Sequence, residues 1–127
     1  MSNLEDLLVD EDELNEEILV ETLKPYLGIG DQTGSLIFEE RFDELKSKQK
    51  TLVSMLALKA MHELDIREEE KIGPTELADL TGISEGTIYP KVSGLEKEGL
   101  LEKDDDGRYW VPNHKIKRVQ NQAETDE

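Results

Sequence analysis

Apolar residues in "KTLVSMLALKAMHEL" (residues 50–64) place Leu52, Leu56, Ala60 and Leu64 on one face of a helix, and this stretch is the natural first helix of a compact domain. Upstream, "SLIFEERFDELK" puts Phe38, Phe42 and Leu45 at i, i+4 and i+7, which predicts another helix. Earlier still, Leu7, Leu14, Ile18, Leu19 and Leu23 recur at roughly helical spacing, so one or two amphipathic helices are expected before Lys24. Pro25 and "YLGIGDQTG" break the pattern and predict a loop. "GIGDQTG" superficially suggests a phosphate loop, but it lacks that loop's lysine and a clear preceding strand, so a linker is the reading taken. "DIREEEK" (residues 65–71) reads as a charged, exposed connection.

The next segment carries stronger punctuation. In "GPTELADLTG", Gly73 can cap a helix whose first residue is Pro74, Glu76 suits the positive end of the helix dipole, and Gly82 can adopt the left-handed conformation that stops it. Ser84 then suits the N-cap of a second helix, its hydroxyl accepting from a free N–H of the first turn. Ile88, Val92 and Leu95 form that helix's buried stripe, and with Leu77, Ala78, Leu80 and Ile83 they can close the core of a helix-turn-helix. "LLEK" and "RYWV" flank "DDDG", a β-hairpin pattern. The fold class expected is mainly α with a small β-hairpin: a winged helix-turn-helix with an N-terminal helical extension. Its parts are an acidic helical arm at 1–46, the winged domain at 47–118 with a recognition helix at about 84–98 and a wing at about 100–111, and a disordered tail at 119–127.

Pro90 interrupts the second helix pattern. A proline inside a helix removes the bond to the carbonyl four residues back and presses against it, at a cost of about 3 kcal/mol. Residue 86 is glycine, so the backbone has room to adjust, and the expectation is an irregular first turn with a regular helix from about Pro90 and Tyr89 brought forward.

Charge complicates this reading. The chain has 127 residues and a formal net charge of −16, with 36% charged and 35% hydrophobic residues. Residues 1–72 hold 19 acidic and 8 basic side chains, whereas residues 73–118 hold 9 and 7, so the helix-turn-helix region is nearly neutral. Nine acids precede the first base, Lys24. Such a surplus favours solubility and repels nucleic acid at long range. With no run approaching the roughly 20 apolar residues of a membrane span, and an acidic rather than basic N-terminus, a soluble cytoplasmic protein without membrane contact is expected. Absence of cysteine excludes disulfides, thiolate catalysis and cysteine-ligated zinc. His62 on a helix surface and His114 beyond the wing form no ligand constellation, so no metal, no cofactor and no enzyme activity is expected.

"GTIYPKVSGLEKEGLLEK" resembles the recognition helix and wing entrance of the PadR family of winged-helix transcriptional regulators, with Gly86, Thr87, Tyr89, Pro90, Leu95, Glu98, Gly99 and Leu100 carrying the likeness. "ELA…TGIS" and "LEKEGLL" are shared with the broader MarR-like winged-helix class. The resemblance covers about residues 51–112 and implies a transcription regulator that binds double-stranded DNA as a homodimer. With Ile88, Val92 and Leu95 turned inward, Thr87, Tyr89 and Lys91, with Ser84, Pro90 and Ser93, are expected at the major groove. Lys103, Arg108, Lys115, Lys117 and Arg118 are expected to position the phosphate backbone. The family tends to carry basic residues around its wing, whereas the tip here is Asp104, Asp105 and Asp106, which argues against insertion into the minor groove. The alternative is a winged-helix interaction module whose acidic arm docks on a protein partner or imitates DNA.

Overall fold

The computed structural model describes residues 3–125; the outermost residues of the expected arm and tail, 1–2 and 126–127, lie outside them. Its centre is helix α3 (Ser47–Glu63), in which every residue from Thr51 to Lys59 is buried. A helix buried all round needs partners on every side. Helices α1 (Glu11–Leu23), α5 (Glu85–Lys97) and α6 (Ile116–Ala123) each pack on it, and α1 also packs on α6. Leu52, Val53, Leu56 and Ala57 are fully enclosed. Leu64, expected on the same face, caps the helix and is 60% exposed.

Burial of Lys59 in this helix requires a counter-charge, because a buried unpaired ammonium is costly. Glu70 supplies it. The charged connection is thereby tied down instead of simply exposed: Arg67 pairs with Glu76 at 3.2 Å and donates to the Lys71 carbonyl at 3.2 Å. His62 is half-buried rather than a surface residue, with Nδ1 3.2 Å from the Arg67 carbonyl.

The acidic arm is continuous with the core, which includes Ile18, Leu19 and Leu23. Asp10 caps α1 by accepting from the Asp12 and Glu13 N–H groups at 3.1 and 3.2 Å. Leu7 and Leu14 of the expected apolar stripe are exposed. The expected linker is instead a hairpin of strands β1 (Leu27–Ile29) and β2 (Leu36–Phe38), antiparallel with Leu27 opposite Phe38 and Ile29 opposite Leu36. The helix expected across residues 35–46 is therefore reduced to a single turn, α2 (Glu40–Asp43). Phe38 and Phe42 still meet, ring centroids 4.5 Å apart, but across a strand-to-helix corner.

The tail departs most from expectation. Beyond a short 3-10 turn at Asn113–Lys115, which holds the exposed His114, the chain forms α6, and Ile116, Val119, Gln120 and Ala123 are buried against α1 and α3. Residues 119–123 are thus ordered helix rather than disordered tail. The sparse stripe of three apolar residues suffices because α1 and α3 form a ready cleft for it. Gln49 reaches the Thr125 carbonyl and secures the end.

Candidate nucleic-acid interface

Helix α4 (Pro74–Thr81) starts from Gly73 with Pro74 at its first position and stops at Gly82, whose φ of +75° is the left-handed conformation that glycine adopts most readily. Leu77 and Ala78 turn inward. After a two-residue turn, α5 begins at Glu85 with Ser84 as N-cap. The Ser84 hydroxyl does not cap the backbone as expected; it bonds the Thr87 hydroxyl at 3.1 Å, while the Ser84 carbonyl accepts from both the Thr87 and Ile88 N–H groups at 3.0 Å. Those two bonds close the first turn. The helix is consequently continuous from Glu85 to Lys97, and the irregular turn expected before Pro90 is not present. Gly86 and Pro90 both face solvent, so water can satisfy the Gly86 carbonyl that the proline leaves without its helical donor.

Ile88, Val92 and Leu95 are buried at 0, 0 and 2% exposure, which fixes the roll of α5. The helical period then makes Gly86, Pro90, Ser93 and Lys97 its outward ridge, with Tyr89 on one flank and Thr87 and Lys91 on the other. Sequence reasoning omitted Gly86 and Lys97 from this ridge, although the same period places them there. A Cβ at Gly86 or Gly94 would meet no atom within 4 Å, so this face is open.

The wing consists of β3 (Glu102–Lys103) and β4 (Tyr109–Trp110), antiparallel with Glu102 opposite Trp110. Two strands this short need support. Ile72, just ahead of α4, provides it by exchanging both backbone bonds with Tyr109 at 2.9 and 2.8 Å, which links wing to helix-turn-helix. At the tip, Asp104 folds inward: its Oδ1 accepts from the Arg108 N–H at 2.9 Å and the Asp106 N–H at 3.0 Å, and its Oδ2 lies 3.6 Å from Lys71 Nζ. The Arg108 N–H first, then the Asp106 N–H and Lys71, hold this carboxyl below the ordinary aspartate value, against an opposing contribution from desolvation. Of the three aspartates, Asp105 and Asp106 are exposed and Asp104 is half-buried. Gly107, at φ +79°, completes the turn.

Four of the predicted residues converge. Tyr89, Ser93, Lys103 and Arg108 line a groove of about 570 Å³ between α5 and the wing, together with Thr75 of α4. Tyr89 is 51% exposed and its hydroxyl lies 3.2 Å from that of Thr75, which steadies the ring at the groove's edge. Lys103 sits 5.9 Å from the Tyr109 ring, and Arg108 reaches Glu69 at 3.5 Å, a solvent-exposed pair that competes weakly for it. Pro90 adjoins the groove through Tyr89, whereas Ser84, Thr87 and Lys91 lie outside it on the N-terminal and opposite parts of α5. Among the described residues Lys91 has no ion-pair partner.

The basic cluster after the wing is placed elsewhere and is engaged internally. Lys115 pairs with Glu102 at 3.4 Å, Lys117 donates to Gln120 at 2.9 Å, and Arg118 donates to the Glu98 carbonyl at 3.4 Å, where a cation complements the C-terminal end of α5. Two residues that sequence reasoning missed belong to the groove and its support. Thr75 was concealed because its contact with Tyr89 spans two helices. Lys71, 4.4 Å from the centre of the Trp110 ring and beside Asp104, has no local signal at all.

Two packed helices joined by a tight turn, a solvent-facing second helix and an adjoining hairpin define a winged helix-turn-helix. Residues 66–105 match the model of the IclR helix-turn-helix domain, a span that takes in α4, α5 and the first wing strand. The match supports a helix-turn-helix, DNA-binding transcription regulator; the type it names is IclR rather than PadR or MarR. No curated protein and no solved structure matches the chain. Among the described residues no helix is long and apolar enough to cross a membrane.

Proposed function

We propose that this chain is a sequence-specific reader of double-stranded DNA that regulates transcription, with α5 lying in the major groove and the wing following the adjacent backbone. The observation that carries this reading is the convergence of Tyr89, Ser93, Lys103 and Arg108 on one groove between helix and hairpin. The hydroxyl groups and two cations there match what a duplex presents at a groove edge, base acceptors and phosphate oxygens, and outnumber the single acid in the lining, Asp106. Thr87, Tyr89 and Lys91 contact bases or phosphates from the two flanks of α5, while the ridge of Gly86, Pro90 and Ser93 offers little bulk to obstruct approach. Ser84, Lys103 and Arg108 position the backbone. Lys115, Lys117 and Arg118, held by partners of their own, contribute through their charge. No catalytic step belongs to this reading.

A homodimer is proposed with it, because two copies related by a twofold axis read a palindrome whose half-sites lie about one helical turn apart. Selection of bound duplexes from a random pool by the full chain tests both statements. Enrichment of a palindromic motif is expected, and Tyr89→Ala is expected to retain the motif but relax one base position in each half-site. Recovery of duplexes with no common motif would remove the claim of sequence specificity.

A further inference from the structure

A second groove, of about 550 Å³, opens between α1, α3, β1 and the start of α6, and it shares no lining residue with the groove beside the wing. Its floor is aliphatic: Leu19, Leu23, Leu27 and Ile116. At its margins Val20 is 58% exposed and Leu64 60%, although side chains of this size are normally covered when they cluster. Its rim is acidic. Asp12, Glu16 and Glu63 line it, against a single cation, Lys24. From Asp12 to Leu23 the groove follows α1 for roughly 16 Å, about three helical turns.

We infer that this groove is a docking site for a basic amphipathic helix of another protein, its apolar side chains laid on the exposed Val20 and Leu64 above the buried floor of Leu19 and Leu23, and its lysines or arginines facing Asp12, Glu16 and Glu63. Helix-in-groove recognition uses apolar anchors at helical spacing, and complementary charge steers the encounter and selects the partner. The charges oppose the two nearest alternatives. A second copy docked α1 against α1 would set six acids and no base on the same acidic rim. The chain's own exposed apolar stretch, Leu4 to Val9, carries Glu5 and Asp6 and is followed by Asp10, so seating it here would also set acid on acid. A cationic helix meets the opposite sign on both sides of an apolar floor. Because this groove is separate from the DNA-reading groove, the inference stands independently of the proposed function.

The test uses the full chain, isotopically labelled, and two synthetic peptides about four helical turns long. Both carry leucine at helical spacing; the remaining positions are lysine in one and glutamate in the other. Nuclear magnetic resonance titration is expected to show shifts from the lysine peptide concentrated at Leu19, Val20, Leu23, Gly28 and Leu64, with at least about tenfold weaker binding of the glutamate peptide. Val20→Asp, on a side chain too exposed to threaten folding, and the charge reversal Glu16→Lys are each expected to weaken the lysine peptide about tenfold. Rising salt should weaken the complex and then level off, since screening removes the charge contribution and spares the apolar one. Absence of binding would overturn the inference, as would shifts scattered over the acidic surface or undiminished binding to Val20→Asp. A peptide-free chain that sediments as a dimer and is dissociated by Val20→Asp would assign the groove to a second copy and overturn it as well.

Discussion

Asp104 stands in a wing whose acidic tip opposes DNA, yet its carboxylate is engaged by the fold. It accepts from two backbone N–H groups and faces Lys71. Its folded value lies below the ordinary one, so the charged form stabilises the wing above the ordinary aspartate value, and that contribution is lost as pH falls through the lower folded value. Asp104→Asn is therefore expected to melt earlier than the unaltered protein at neutral pH, with the gap closing as pH is lowered below about 4. Melting curves of the two proteins across that range check it; a gap independent of pH would show that the carboxylate charge is not what the turn uses. At this scale the sequence was most legible where a residue's conformation is set by its neighbours. Pro74, Gly82 and Gly107 occupy the helix start, helix stop and hairpin turn that their chemistry predicts. The Ser84 side chain and the backbone around Pro90 were less legible, because each had two local solutions. The Ser84 hydroxyl chose Thr87 over a backbone N–H, and solvent at Gly86 removed the need for an irregular turn.

Among the elements, α6 shows why a polar composition can hide a helix. "IKRVQNQA" offers only Ile116, Val119 and Ala123 to the core, and the cleft between α1 and α3 that receives them is formed by residues far away in the chain. Ile116→Ala should cost about 2–5 kcal/mol, the range for emptying a fully buried aliphatic site, whereas a solvated tail would register almost nothing. Denaturant unfolding measures this directly. The hairpin of β1 and β2 was illegible for a related reason: Phe38 and Phe42 are four residues apart, a spacing that a helix and a strand-to-helix corner both satisfy when the rings stack. The acidic connection carries a sharper expectation. Glu70→Gln leaves Lys59 as a buried charge without its partner and should destabilise by about 3 kcal/mol, while Lys59→Met, which removes the charge itself, should be close to neutral. Equal losses in the two variants would mean that packing, not charge pairing, dominates there.

At the scale of the whole molecule, the formal charge of −16 belongs mostly to the first 72 residues, so the winged half can approach DNA only against a field generated by the other half. That arrangement makes salt informative. Phosphate contacts release counterions and weaken as salt rises, whereas screening of the acidic arm relieves its repulsion, so the two effects oppose one another. The central claim is that the groove between α5 and the wing binds duplex DNA. Fluorescence anisotropy of a labelled duplex pool, titrated with the full chain at several low salt concentrations, tests it most directly when repeated with Lys103→Ala and Arg108→Ala. Saturable binding is expected, with a logarithmic salt slope that becomes shallower by about one for each of these two substitutions. No anisotropy change with any duplex at the lowest salt, or binding that both substitutions leave untouched, would contradict it.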